Sequence, residues 1–170
     1  MLHSAAQAPG GRPVVADLWT GEQLTLFAVR DWSRDAGCAG RTEYVFRSVL
    51  GLAQVERAIE SLDTVMTVLA TRARRPFRPY CAVCNLVSPQ ETCVLNLIAA
   101  AQRDDEAHAA AAASWLVPPF AQNPLTTGAT QFASCLKSRQ LYLPVRAANG
   151  CCRAESLPVA EPSLREARLR

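Results

Sequence analysis

Cys81 and Cys84 stand three positions apart, Cys93 follows nine residues later, and Arg72, Arg74, Arg75 and Arg78 lie just ahead of them. A Cys-x-x-Cys pair on one tight turn offers two soft ligands to a metal ion, and a structural zinc takes four ligands in a tetrahedron. Cys93 falls at the start of a helix, where its side chain can point back over the loop and the helix dipole favours a thiolate. The zinc reading takes Cys81, Cys84 and Cys93 as ligands. Cys38, in a loop bracketed by Gly37 and Gly40, is the fourth, with Cys135 and His108 in reserve. An iron–sulfur cluster is the weaker metal reading, since thiolates are its usual ligands but the spacing follows none of the ferredoxin patterns. Two metal-free readings stand beside these. The thiols can be small buried apolar residues, or one of them can be a redox sensor whose thiolate form is favoured by the neighbouring guanidinium groups; a thioredoxin-like pair is disfavoured, because nothing upstream reads as a strand.

The arginines carry a chemistry of their own. From Thr64 through Gln90 there is no carboxylate. The planar fork of arginine makes paired, charge-assisted hydrogen bonds to phosphate, and Phe77 and Tyr80 add aromatic faces on which a base can stack. Arg72, Arg74, Arg75 and Arg78 are therefore candidate phosphate or nucleic-acid ligands. The simpler reading is a solvated helix end whose cations complement the C-terminal dipole.

The elements that must position these residues read as helices. Thr20-Gly21-Glu22-Gln23 has the pattern of a capping box, followed by an apolar face at Leu24, Phe27, Val29 and Trp32. A short helix follows from about Thr42 to Leu50, with Tyr44, Val45, Val49 and Leu50 partly buried. Val55, Ala58, Ile59, Leu62, Val65, Met66 and Leu69 then fall at spacings of three and four, one stripe down a long helix. Pro76 restricts the residue before it and ends that helix at Arg74-Arg75. Residues 76–87 form a loop. Ser88-Pro89-Gln90-Glu91 is a complete helix start with cap, N1 proline and box-closing glutamate. The buried face of that helix is Val94, Leu95, Leu97, Ile98 and Ala101. Asp104 or Asp105 caps an alanine-rich helix reaching Trp115, and Pro118-Pro119 stops it. Asn123-Pro124 opens the last helix, with Leu125, Ala129, Phe132, Ala133 and Leu136 on one face. Leu141-Tyr142-Leu143 reads as a short extended segment. No run alternates with period two, so the expected fold is all-α, a single compact bundle of five or six helices. The helical domain spans 13–147, between flexible tails at 1–12 and 148–170.

Residues 86–102 resemble the opening of the LuxR-type helix-turn-helix DNA-binding domain, which begins with a capped Thr/Ser-Pro-x-Glu followed by a Val-Leu-x-Leu-Ile-Ala stretch. Ser88, Pro89, Glu91, Val94, Leu95, Leu97, Ile98 and Ala99 match. The resemblance implies DNA binding through a recognition helix two elements on. There the sequence departs from the pattern. Pro118-Pro119 interrupts, and Leu125 to Leu136 holds no arginine and no lysine with which to reach phosphates or base edges. No DNA-contacting residue carries over.

Composition bounds the remaining readings. A net charge of +3 is too small to argue for nucleic acid by itself. Met1 to Gly11 has neither the basic lead nor the apolar core of a secretory signal, and Ala107 to Ala121 is too broken to span a bilayer. The protein is read as cytoplasmic and without a membrane partner. In that compartment seven cysteines, an odd number, do not read as a disulfide framework. No glycine-rich phosphate loop, H-E-x-x-H or G-x-S-x-G is present, so no catalytic residue and no enzymatic activity are expected. The expected function is a small helical binding or regulatory module for another protein, with a zinc in the 76–93 loop. A nucleic-acid-binding regulator using the arginine cluster and a thiol-based redox sensor are the alternatives.

Overall fold

The computed structural model describes residues 13–35 and 40–146. Cys38, both tails and the Cys151-Cys152 pair lie outside them. Within them the chain is an all-α bundle of six helices: α1 (Thr20–Asp35), α2 (Arg41–Leu50), α3 (Leu52–Arg72), α4 (Pro89–Gln102), α5 (Glu106–Leu116) and α6 (Pro119–Lys137), preceded by a 3-10 turn at Val15–Asp17. Among the described residues no helix is long and apolar enough to cross a membrane. Among the described residues there is no strand, only an isolated antiparallel bridge between Val14 and Leu86.

The stripe on α3 is the core. Val55, Ala58, Leu62, Val65, Met66 and Leu69 are all buried, and α6 packs along them through Leu125, Ala129, Phe132 and Leu136. Gly128 permits that approach. A Cβ there would lie 3.1 Å from Val65 Cγ2 and 3.3 Å from Ser61 O. Gly51, at φ +78°, makes the turn between α2 and α3, a backbone region favourable to glycine. Phe46 of α2 meets Phe132 with ring centroids 5.9 Å apart. Phe46 is the buried aromatic of α2, whereas Tyr44, expected to be partly buried, is exposed.

Several boundaries differ from expectation for identifiable reasons. Helix α1 is capped one residue earlier than the pattern implies. Thr20 is already helical, the Trp19 amide donates to Glu22 Oε2 at 2.8 Å, and Gln23 Nε2 donates to Leu18 O and Val15 O. Helix α3 ends at Arg72, because the Arg74 amide leaves the helical ladder and donates to Leu116 O at 2.9 Å. Helix α6 begins at Pro119 rather than at Asn123. Pro119 occupies the first turn, where its missing N–H costs nothing, and Pro124 lies within the helix.

Helix α4 differs most. It starts as expected, with Ser88 and Glu91 completing both halves of the box. It is buried on every side, however, from Glu91 through Ala100. An α-helix apolar around most of its circumference is an interior helix. Its polar side chains therefore cannot reach solvent and must find partners inside, which is how α4 organises the segments around it.

Candidate functional site

The loop between α3 and α4 is held by a buried ion pair. Arg30 on α1, 5 % exposed, donates from Nε to Glu91 Oε1 at 2.7 Å and from Nη2 to Oε2 at 3.2 Å. The rest of its fork reaches two loop carbonyls, Cys84 O at 2.7 Å and Leu86 O at 2.6 Å. Glu91 also accepts from the Tyr80 amide at 3.1 Å and from the Ser88 amide at 2.7 Å. The planar guanidinium suits this task because its donors are fixed in a fork that several oxygens can share. Arg30 and Glu91 lie 61 positions apart, and no local pattern pairs them. The one sequence signal was an arginine set directly after the mainly apolar stretch 24–29 of α1.

The cysteines are placed unevenly. Cys81 is exposed and Cys84 half-buried, and the Cys84 amide donates to Cys81 O at 3.0 Å, closing a β-turn. Cys93 is fully buried, with Sγ 3.5 Å from Ala112 O on α5. Cys135 is buried in α6, and desolvation pushes its thiol up, against a smaller opposing effect of Arg57. His108 is exposed at the start of α5 with Nδ1 2.7 Å from Asp105 Oδ2. The hydrogen bond from the His108 amide, more than any other contact, holds the Asp105 carboxyl below the usual carboxylate range. Among the described residues no three His, Cys, Asp or Glu side chains gather as a metal site. Of the expected zinc ligands, the structure brings Cys81 and Cys84 together on the turn. Among the described residues no third His, Cys, Asp or Glu joins them, and Cys38 lies outside those residues.

The arginine cluster divides into structural and free members. Arg74 closes the C-terminal end of α5: its Nε donates to Ser114 O at 2.9 Å and Val117 O at 3.2 Å, and its amide takes Leu116 O. The cation thus complements the dipole of α5, not that of the helix it follows. Arg72, Arg75 and Arg78 are exposed, and no ion pair joins them among the described residues.

Between α3's end, the loop and α5 lies a cleft of about 230 Å³ lined by Ala73, Arg74, Arg75, Phe77, Gln90, Ser114, Trp115 and Leu116. Gln90 fixes its wall, donating to Pro76 O at 3.2 Å and accepting from the Arg78 amide at 3.1 Å. Phe77 and Trp115 are half-buried against the core and give the cleft its apolar side. A second, more open depression of about 390 Å³ lies at Val49 and Ser138–Leu141, where Arg139 Nε donates to Val49 O at 3.3 Å. Sequence reasoning identified Arg74, Arg75 and Phe77 but missed Gln90, Ser114, Trp115 and Leu116, which only the packing of α5 brings alongside. No protein-family model, curated protein or solved structure matches this chain.

Proposed function

We propose that this protein is a non-catalytic helical binding module, and that its cleft at the end of α3 receives an acidic side chain of a partner protein together with an apolar neighbour. The observation that carries this reading is the pairing of a cation, joined to no carboxylate among the described residues, with an apolar wall: Arg75 beside Phe77, Trp115 and Leu116. The stretch from Thr64 through Gln90 has no carboxylate to neutralise it. A volume of about 230 Å³ falls below the roughly 300–1,000 Å³ of typical small-molecule sites and suits one or two side chains. Gln90 and the Arg30–Glu91 pair hold the loop side of the cleft, so little ordering remains to be done on binding.

Nucleic acid is less well supported by the same residues. Phe77 and Tyr80 are half-buried rather than free to stack, and Arg74 is committed to the end of α5. That leaves Arg72, Arg75 and Arg78 for phosphates, a small electrostatic footprint.

Selection from a displayed peptide library with the full chain tests the proposal, using the Arg75→Glu variant for counter-selection. Peptides carrying Asp or Glu next to an aromatic or leucine are expected to enrich, to lose binding to Arg75→Glu, and to weaken as salt is raised. Enrichment indifferent to Arg75→Glu, or tight binding of single-stranded DNA in its place, would overturn it.

A further inference from the structure

The loop between α3 and α4 is anchored on both sides of one short stretch. Upstream, Pro76 and Arg78 are fixed to Gln90 and the Tyr80 amide to Glu91. Downstream, Arg30 takes the carbonyls of Cys84 and Leu86, the Val15 amide donates to Asn85 O at 2.8 Å, and the Val87 amide donates to Pro13 O at 3.0 Å. Between these anchors the chain makes a β-turn closed by the Cys84 amide on Cys81 O, with Val83 at its tip 92 % exposed. A turn of this kind keeps its first and fourth Cα atoms within about 7 Å. A disulfide accepts Cα separations of about 4.4–6.8 Å. The turn thus limits the two cysteines to a Cα separation that overlaps the span of a disulfide, one open to solvent and the other partly shielded, on a loop whose flanks are tied to α1 and α4.

We infer that Cys81 and Cys84 form a thiol–disulfide exchange site whose co-substrate is a low-molecular-weight disulfide such as glutathione disulfide. Cys81, the exposed member, attacks as the thiolate. A bond forms from its sulfur to one sulfur of the reagent, the reagent's S–S bond breaks, and the first reagent thiol leaves. Cys84 then attacks the Cys81 sulfur, releases the second reagent thiol and closes the intramolecular disulfide. The two cysteines lose two protons and two electrons, and the reagent is reduced to two thiols. Excess thiol runs the sequence backwards. Burial of Cys93 and Cys135 keeps those thiols out of the exchange. The inference does not depend on what the cleft binds.

Equilibration of the full chain with reduced and oxidised glutathione, followed by alkylation and peptide mass spectrometry, tests this. The expected result is joint loss of labelling at Cys81 and Cys84, with a peptide lighter by two hydrogens that dithiothreitol restores. Labelling of Cys93 and Cys135 in the unfolded chain should be unchanged. Cys84→Ser should accumulate Cys81 carrying one glutathionyl group, and Cys81→Ser should not accumulate the adduct at Cys84. Four results would overturn the inference: both thiols staying alkylatable, a disulfide linking two chains, an adduct favouring Cys84 over Cys81, or one zinc per chain bound through both sulfurs and shielding them from exchange.

Discussion

Arg30 and Glu91 tie the α3–α4 loop to α1 and α4 through one buried set of hydrogen bonds. Four donors or acceptors of the loop and helix start, at Tyr80, Cys84, Leu86 and Ser88, converge on this pair. Removing one partner of a buried ion pair leaves the other charge uncompensated. Glu91→Gln should therefore destabilise the fold by about 3–5 kcal/mol in chemical denaturation. Arg30→Lys keeps the charge but loses the fork, and should cost about 1–3 kcal/mol, the range for buried groups left without a partner. If both variants unfold like the parent, the pair is not what holds the loop. The cap of α5 gives a pH prediction at the same scale. Asp105 titrates lower in the folded chain, mainly through the His108 amide. Its contribution is accordingly present above the ordinary carboxylate range and is lost as the pH falls through the lowered folded value. The His108 amide, followed by NMR, should lose protection from exchange across that acid window. Asp105→Asn, which caps without ionising, should show no such pH dependence.

Helix α4 is the element on which the rest depends, and its polar residues explain why. Glu91 holds the loop before it, and two others hold the segment after α6. Asn96 accepts from the Arg146 amide and donates to Arg146 O, both at 3.0 Å. Gln102 accepts from the Leu143 amide and donates to Leu141 O, both at 2.8 Å. Arg146 then reaches Glu22 on α1 at 2.6 and 2.7 Å, an interaction that raises the arginine further above its ordinary value. Asn96→Leu removes a side chain that satisfies two backbone groups. It should cost about 1–3 kcal/mol and speed tryptic cleavage after Arg146. Unchanged cleavage would show that residues 141–146 are held without Asn96. At the α3–α6 contact, Gly128→Val should cost about 1–3 kcal/mol by overpacking against Val65 and Ser61, measured by denaturation. The helices themselves were legible in the sequence: the α3 stripe, the Ser88 box and the Asp105 cap all depend on residues three or four positions apart. What was not legible depends on distant partners. Periodicity marks an apolar face but does not say that Asn96 and Gln102, on the other sides of α4, are covered by residues 141–146. Nor does a helix stop at Pro118-Pro119 reveal that the second proline begins α6.

At the scale of the whole molecule, the cleft is a joint product of three elements that the sequence keeps apart. The loop after α3 supplies Arg74, Arg75 and Phe77, α4 supplies Gln90, and α5 supplies Ser114, Trp115 and Leu116. The arginine run alone could be read as phosphate-binding. The apolar wall that turns the reading toward a protein segment becomes apparent only once α5 is packed beside it. Arg75 is the residue on which binding and folding separate, because it is exposed and joined to no carboxylate among the described residues. Arg75→Glu should leave the unfolding midpoint close to that of the parent, since surface substitutions usually change stability by about 0.5 kcal/mol or less. The same variant should abolish acidic-peptide binding. The most direct test of the account is an NMR titration of the full chain with a short blocked peptide in which glutamates flank a leucine or phenylalanine, repeated with Arg75→Glu. The account predicts chemical-shift changes confined to residues 73–77, Gln90 and residues 114–116, and lost in the variant. Shifts centred elsewhere, or a titration unchanged by Arg75→Glu, would contradict it.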